Sequence, residues 1–464
     1  MRSARPQASR SSTASTQRSP RSRAPRRRGS GGKVRPSLLT RDGRLLVAAR
    51  AVRMFAYGFL SVILALYLSA AGFSASQIGW LFTVALAGGA ATTAVVSLMV
   101  NRWGRRRTLI ASALLMAAAG IALATRQGFL VLLPLSAIGA LSPTGQENGP
   151  FLSLEQAALS QTTAAPHRVM PYAWYNLAGS VAAALGALAA GAVPAAFRVM
   201  GGTAAAAEQS LIWASAAAGV ILAGQYLALS AAVEVAATGR PDDASPGLGR
   251  SRRAVIKLTA LFGVDALAGG LVVQSLVAFW LYRRFGVDLE SLGLLFFGTN
   301  LLSALSYLAA AGLASRFGLL NTTVFTHLPS NLLLGLVPFM PSWPLAAAML
   351  LARSALSQMD VPTRQAYTMA LVAPEERAAA AGLTNAVRPA AQSLAPAISG
   401  LALQSAASGL PFVLAGALKA GYDLTLWLVF RRVALQAEPT SGQTAEGPGT
   451  PCRPDATREG HRQR

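Results

Sequence analysis

Long apolar stretches separated by short polar loops recur along the chain from residue 46 to residue 431. A helix that crosses a bilayer needs about 20 mostly apolar residues, and twelve stretches have roughly that length. The pattern predicts an all-α membrane protein with twelve transmembrane helices in two six-helix pseudo-symmetric halves. The predicted spans are 46–69, 77–99, 107–125, 129–159, 171–195, 209–235, 255–281, 290–314, 321–339, 343–372, 378–404 and 410–431.

Two polar tails and one polar linker frame these spans. Residues 1–44 carry 13 Lys+Arg and a single acid, and residues 432–464 are polar with several Gly and Pro. Segments of this composition cannot bury a core, so both tails are predicted to be disordered. The Gly/Pro-rich linker at 236–254 separates an N-terminal half at 45–235 from a C-terminal half at 255–431.

Basic residues are distributed unevenly between the two sides of the predicted bilayer. Of 41 Lys+Arg, 31 fall in the tails and the loops on their side when the span-end residues Arg107, Lys257 and Arg431 are counted with those loops, 4 fall in the opposite loops and 6 lie deeper within spans. This asymmetry follows the positive-inside rule, so both termini are predicted to be cytoplasmic in a cell (inner) membrane. The same asymmetry accounts for the net charge of +23. The predicted partner is therefore the lipid bilayer, and no nucleic acid is expected. An organelle transit peptide or an over-extended start remains an alternative for the N-terminal tail.

The sequence lacks the residues that several kinds of catalytic and metal-binding sites need. Cys452 is the only cysteine, which excludes a disulfide within one chain and a cysteine-ligated metal centre. Histidine is limited to His167, His327 and His461, so histidine-based catalysis or metal binding is not expected. The chain also lacks the GxxxxGK[ST] phosphate loop. We therefore expect no enzyme, no cofactor and no metal.

The two predicted halves repeat one another in sequence. Two registers, with offsets of 209 and 214 residues, preserve the order of spans and loops. Parallel six-span repeats imply a pseudo-twofold axis along the membrane normal, with a central site between the halves. The matched pairs include Glu155 with Arg364, Arg168 with Arg377, Gly191 with Gly400, Gly79 with Gly293, and Arg102 with Arg316.

The loop between the second and third spans reads NRWGRRR. Together with the twelve-span layout, it resembles the major facilitator superfamily, whose loop signature is GxxxD/N-R-x-G-R-R. The resemblance covers about residues 45–432, with Ser97 in place of the leading Gly. The matching residues are Asn101, Arg102, Gly104, Arg105 and Arg106.

This resemblance implies alternating access driven by an ion or substrate gradient. It also implies that spans one, four, seven and ten line a central cavity, and that the ends of spans four, five, ten and eleven close its cytoplasmic side. The stretch MDVPTRQAYTMALVAPEER resembles a bacterial subgroup whose substrates are mostly unassigned. Span five lacks the Gly-Pro element associated with drug/proton antiporters, which weakens the antiport hypothesis.

Charged residues lie inside the predicted spans, where an unpaired charge is costly. Away from the span ends, six are positive and five are negative, which favours internal pairing. Steps of three and four residues place polar side chains on one face of span ten and one face of span eleven, and such faces should line a cavity. The candidate cavity or substrate residues are Arg53, Tyr57, Glu147, Asn148, Asp265, Asp360, Asn385 and Arg388.

Two repeat mates of opposite charge suggest a cytoplasmic gate. Glu155 and Arg364 should lie at equal depth, and they could pair across the halves when the cytoplasmic side is closed, with Arg168 and Arg377 nearby. The alternative is pairing within each half, as between Arg364 and Asp360 at i,i+4.

Two further pairs were predicted on similar grounds. Asp265 and Arg53 should lie at similar depth in spans seven and one and could pair across the halves. Lys419 and Asp423 are four residues apart on span twelve and are expected to pair locally. Pro150 and Pro362 are expected to interrupt spans four and ten.

Taken together, these features predict a secondary active transporter of a small solute that works as a monomer. The first hypothesis is efflux of a drug-like or metabolite compound coupled to a proton gradient. Uptake of an organic anion is an alternative, suggested by Arg53, Arg364 and Arg388. A non-transporting membrane sensor or scaffold on the same fold is another.

Overall fold

The computed structural model describes residues 40–125, 128–137, 142–147, 149–162, 169–234, 249, 251–373, 376–405 and 408–433. Every regular element in these ranges is a helix. The α-helices are α1 Arg41–Ala70, α2 Ala75–Trp103, α3 Arg105–Ala124, α4 Phe129–Ala137, α5 Phe151–Thr162, α6 Val169–Val199, α7 Ala204–Leu227, α8 Arg252–Leu271, α9 Gln274–Phe285, α10 Leu289–Phe317, α11 Leu319–Leu336, α12 Trp343–Ser357, α13 Asp360–Leu371, α14 Arg377–Ser393, α15 Ala395–Gln404 and α16 Leu410–Phe430. Two short 3-10 helices follow α7 and α11, at Ala231–Val233 and Val337–Phe339.

The described α-helices follow the predicted spans in order, and four spans are divided into two helices each. These are span four (α4 and α5), span seven (α8 and α9), span ten (α12 and α13) and span eleven (α14 and α15). Pro150 directly precedes α5 and Pro362 lies in the first turn of α13, where a proline costs no helical hydrogen bond. The breaks in spans seven and eleven were not predicted.

The apolar helices confirm the all-α membrane fold. In the described part of the chain, eight helical segments are long and apolar enough to cross a membrane, with α8 and α9 taken as one. The count of twelve spans fits this architecture and stays a prediction. We refer to α1–α7 as the N half and to α8–α16 as the C half.

The helices alternate in direction, so the bundle has two ends. We call the end with the start of α1 and the end of α16 the tail end. The opposite end contains the ends of α1, α6, α9 and α15, and we call it the closed end because the halves meet there. Gln274 of α9 donates a hydrogen bond to the Ser61 hydroxyl of α1 at 2.7 Å. Arg198 of α6 and Glu290 of α10 form an exposed ion pair at 2.9 Å.

Two glycine crossings bring the backbones of the two halves together near the closed end. A Cβ added to Gly79 of α2 would lie only 2.9 Å from the Cα of Gly400 in α15. At the second crossing, a Cβ on Gly293 of α10 would lie 3.0 Å from the Cα of Gly191 in α6. Small residues permit this approach between membrane helices. The sequence repeat matches Gly79 with Gly293 and Gly191 with Gly400, so a pseudo-twofold axis relates the crossings.

Candidate functional site

Charged residues of the N half form a closed set of ion pairs. Arg53 of α1 is fully buried and donates both terminal nitrogens to the Glu155 carboxylate of α5, at 2.9 and 2.6 Å. Glu147, between α4 and α5, pairs with both Arg53 and Arg50. We call this set, with two tyrosines described next, the Arg53 cluster. Its members are Arg50, Arg53, Glu147, Glu155, Tyr175 and Tyr226.

The Glu155 carboxylate accepts hydrogen bonds on both oxygens. Tyr226 donates to Oε1 and Tyr175 donates to Oε2, each at 2.5 Å, in addition to the two bonds from Arg53. The Arg53 guanidinium also lies over the Phe151 ring, 4.6 Å from its centroid. A buried ion pair offsets its desolvation only when the remaining lone pairs find donors. Glu155 meets this condition, and the two positive and two negative charges of the cluster cancel.

Charged residues of the C half gather around one carboxylate. Asp265 of α8 is 2% exposed and accepts hydrogen bonds from Lys419 of α16 at 2.5 Å and Arg388 of α14 at 3.0 Å. Arg364 of α13 lies 3.4 Å from the same carboxylate and makes a shorter bond of 2.6 Å to Asp360. Helices α8, α13, α14 and α16 therefore meet at one buried anion.

A histidine lies between this carboxylate and a second one. Nδ1 of His327, in α11, lies 2.8 Å from Asp423 of α16, and its Nε2 lies 4.0 Å from Asp265. Asn331 donates to the other Asp423 oxygen at 2.8 Å. With Arg353 of α12, these residues complete what we call the Asp265 cluster. Its members are Asp265, His327, Asn331, Arg353, Asp360, Arg364, Arg388, Lys419 and Asp423.

The two clusters keep the predicted cross-half partners apart in this conformation. Among the described residues, no ion pair joins Glu155 to Arg364, because Glu155 binds Arg53 and Arg364 binds Asp360. Nor does Arg53 meet Asp265, which lies among the cations of its own half. Glu155, Arg364, Arg53 and Asp265 are each paired within their own half, which is the alternative to the gate.

The local pair predicted on span twelve is wrong. Lys419 reaches Asp265 on α8, and Asp423 instead contacts His327 and Asn331 on α11. The four-residue spacing places both side chains on one face of α16, but that face packs against two different helices. The nearer opposite charge for Lys419 is therefore on a neighbouring helix.

The remaining predicted residues are spread more widely. Tyr57 is buried on α1, one turn after Arg53, whereas Asn385 is exposed on α14. Arg377 Nε donates to the Met369 carbonyl at 3.1 Å, which ties the start of α14 to the end of α13. Asn148, Arg168 and the side chain of Asn101 lie outside the described residues.

The loop signature forms a tight turn capped by an acid from elsewhere. Gly104 has φ +84°, a backbone conformation that favours glycine, and it starts α3. The Glu234 carboxylate accepts the backbone N–H groups of Arg105 at 2.7 Å and Arg106 at 3.2 Å, while Arg102 is exposed. An anion at a helix N-terminus is favourable. A residue after α7 therefore supplies a charge that the signature position, an Asn in this chain, does not.

Sequence reasoning missed several contributors. Tyr175 and Tyr226 each come from a span assigned no chemistry, and Glu234 lies at the margin of the linker. The signal for His327 and Asn331 was available, because they are four residues apart in span nine and share one helix face. The described residues contain no group of three or more His, Cys, Asp or Glu side chains arranged to hold a metal ion.

Comparison with known sequences gives two matches. The model of the Major Facilitator Superfamily matches residues 46–267. A curated relative, an uncharacterized membrane protein of Saccharomyces cerevisiae, is 26% identical over 424 residues, which cover 84% of this chain and 94% of that protein.

Solved structures share the fold over most of this chain. A bacterial homolog of the human lysosomal transporter Spinster, in an inward-facing and occupied conformation, gives a TM-score of 0.67 at 12% identity, covering 86% of this chain and 98% of that one. The nucleoside transporter NupG gives 0.63 at 13% identity, with coverages of 85% and 99%. The peptide transporter POT in complex with sulfate gives 0.66 at 13% identity, with coverages of 84% and 94%. At these identities the likeness shows the fold.

Proposed function

We propose that this chain, whose residues 46–267 match the model of the Major Facilitator Superfamily, is a member of that family and moves a small solute across a membrane by alternating access, as a monomeric secondary active transporter. The matched family and the structural neighbours are transporters rather than enzymes. We further propose that residues 45–235 and 255–431 are the two moving units, joined by a linker at 236–254.

The observation that carries this proposal is how the halves contact each other. Near the closed end they meet at two symmetry-related glycine crossings and at the Arg198–Glu290 ion pair. The buried ion pairs of the described residues, in contrast, each lie within one half, so separating the halves at either end breaks none of them. Units built in this way can rock about a fixed region.

The side of the membrane follows from charge. The tails and the loops on their side hold 31 of the 41 Lys+Arg, which supports a cytoplasmic tail end in a cell membrane. On that assignment the closed end faces away from the cytoplasm.

The finer proposal concerns coupling and direction. Asp423 is a buried carboxylate whose described partners are His327 and Asn331 rather than a lysine or an arginine, which supports coupling to a proton gradient. We propose efflux of a drug-like or metabolite compound as the first candidate. Uptake of an organic anion is the second, because cations outnumber carboxylates in the Asp265 cluster.

The experiment is a flux assay on the purified protein in liposomes. A defined mixture of carboxylates, nucleosides, dipeptides and amines is supplied outside, with and without an imposed pH gradient, and the vesicle contents are measured by mass spectrometry. The matched control carries Cys452→Ser, Arg198→Cys and Glu290→Cys, cross-linked by a bifunctional thiol reagent to hold the closed end shut.

We expect at least one solute to enter vesicles containing the native protein and not those containing the cross-linked control. Dependence on the sign of the pH gradient would establish proton coupling and distinguish efflux from uptake. If no solute in the mixture moves, and spin labels at the two ends also report a single conformation, the chain is better described as a sensor or scaffold on this fold.

A further inference from the structure

The Asp265 cluster contains one more cation than carboxylates. In the Arg53 cluster, two arginines face two glutamates. In the Asp265 cluster, four cations face three carboxylates, which leaves a formal surplus of one positive charge with histidine counted as neutral. The cations are Arg353, Arg364, Arg388 and Lys419, and the carboxylates are Asp265, Asp360 and Asp423.

Arg353 is the cation that makes no contact with a carboxylate. Asp265 and Asp360 are close enough to act on it electrostatically. However, its guanidinium forms no ion pair within 4.0 Å and no hydrogen bond to any described residue, and its Nε is buried without a partner. The other three cations of the cluster are each bonded to Asp265.

A second buried donor lies on the same helix face. Ser357 follows Arg353 by one turn of α12, is 6% exposed, and its hydroxyl also has no partner in the described structure. Leaving a buried donor unsatisfied costs about 1–3 kcal/mol. Two such donors one turn apart can be satisfied together by a single acceptor group from outside the chain.

The chemistry of that acceptor follows from the donors. A guanidinium presents a planar fork that matches both oxygens of a carboxylate. One carboxylate also carries the single negative charge that brings the cluster to neutrality, whereas a doubly charged phosphate would exceed it. Arg364 and Arg388, which suggest anion binding from the sequence, already bind the protein's own carboxylates.

We propose that Arg353 and Ser357 bind the carboxylate of an anionic substrate. This rests on the proposed transport function, since it names the substrate class for the same central site. Arg388 has 29% of its side chain exposed and makes its ion pair through one nitrogen only. It is therefore the neighbouring cation best able to attract the anion.

The first test measures reactivity of the arginines without requiring transport. The full-length protein in lipid nanodiscs is treated with phenylglyoxal, which modifies guanidinium groups, and the sites are quantified by mass spectrometry. Because Arg353 is unpaired and Arg53 is locked in an ion pair, we expect Arg353 to react roughly tenfold faster, a difference of about 1.4 kcal/mol. Equal reactivity would contradict an unpaired Arg353.

The second test uses benzoate as a simple carboxylate and benzamide as its neutral counterpart. At about 10 mM, ten times a millimolar dissociation constant, benzoate should slow modification of Arg353 severalfold and raise the apparent melting temperature, while benzamide does neither. Arg353→Met should abolish the thermal response, and Arg316→Met, at an exposed tail-end position, should preserve it.

These results separate the site from the transport function. Protection by benzoate together with no flux of any solute would support the site and contradict the transporter. Flux without protection of Arg353 by benzoate would support the transporter and overturn the site. Equal protection by benzoate and benzamide would also overturn it, because charge would then play no part.

Discussion

The Arg53 cluster and the Asp265 cluster occupy corresponding places in two halves of one repeat, yet they neutralise charge differently. In the N half, Arg53 and Glu155 satisfy one another with the help of two tyrosines. In the C half, Asp265 serves three cations and a fourth remains without a carboxylate. The N half is electrostatically complete, whereas the C half is complete only with an additional anion.

The difference also inverts the sign of charge along the repeat. The first span of each half carries Arg53 or Asp265, and the fourth carries Glu155 or Arg364, so one ion pair appears twice with its charges exchanged. The residue matched to Arg353 by the 209-residue offset is Thr144, which is uncharged. The repeat therefore relates the helix backbones and the Arg53–Glu155 and Asp265–Arg364 pairs of the two halves. It does not include Arg353, which has no charged counterpart in the N half.

The largest effect is expected from exchanging charges across the halves. In Glu155→Arg with Arg364→Glu, Arg53 would face a new arginine, and Asp360 and Asp265 would face a new glutamate. Uncompensated buried charges cost about 3–5 kcal/mol each, so we expect little folded protein by size-exclusion chromatography. The matched exchange Arg53→Glu with Glu155→Arg keeps opposite charges within one half and should yield more. A stable cross-half exchange would restore the gate hypothesis.

Asp265→Asn should have the next largest effect. It leaves three cations around a neutral amide, and loss of one partner of a buried pair costs about 3–5 kcal/mol. The melting temperature of the purified protein should fall steeply, whereas Asp288→Asn, at the exposed N-cap of α10, should barely change it. Similar melting temperatures would show that Asp265 is not the centre of the C half.

Replacing one arginine in each cluster by methionine tests most directly whether the two clusters neutralise charge differently. Arg53→Met leaves Glu155 buried without its cation and should cost about 3 kcal/mol. Arg353→Met removes a charge that has no partner, so stability should be unchanged or higher. Both are measured by chemical unfolding in the same detergent. An equal loss in the two variants would contradict the surplus charge in the C half.

A smaller effect is expected from the tyrosines that only the N half places on its carboxylate. Tyr226→Phe removes the hydrogen bond to the charged Glu155 and the one that the hydroxyl accepts from Arg53, and should cost about 2 kcal/mol. Tyr67→Phe removes a longer bond, 2.9 Å, to the neutral Leu123 carbonyl and should cost about 1 kcal/mol. If both variants lose the same free energy of unfolding, the negative charge of Glu155 does not strengthen the hydrogen bonds that it accepts.

The smallest effect concerns the one exposed ion pair described between the halves. Arg198→Ala should change the free energy of unfolding by no more than about 1 kcal/mol, because both side chains are more than half exposed. A shift in the population of the closed end, measured by spin-label distances, is the sensitive readout. A large loss of folded protein would give this pair a structural role that its exposure does not suggest.

Sequence patterns were sufficient for the all-helical membrane fold, for the correspondence of the repeated glycines and for the presence of buried charges. Apolar length fixed the helices, and repeat offsets anticipated which glycines correspond, Gly79 with Gly293 and Gly191 with Gly400. Pairing was harder to predict because it depends on side-chain reach between helices. Lys419 has a carboxylate four residues away in sequence, yet it binds Asp265 on another helix.

The residues that were missed have a common physical cause. His327 and Tyr226 differ little from ordinary interior residues when a single span is considered. Their importance arises from which helix packs opposite them, and sequence periodicity does not contain that information. Arg353 was noticed as a charge, but only the partners of the other cations show that it is the one left over.

The interrupted, polar helices of the C half have a consequence for biosynthesis. Helices α12 to α15 have between 10 and 17 residues each, so none of them alone has the length of a membrane-crossing helix. An arginine or aspartate at the centre of a helix raises the cost of insertion by about 2.5–3.5 kcal/mol. These segments should therefore enter the bilayer late and as a group, once α8 and α16 offer Asp265 and Lys419. The buried charges proposed to bind a ligand in the C half therefore also determine the order in which the helices of that half insert into the membrane.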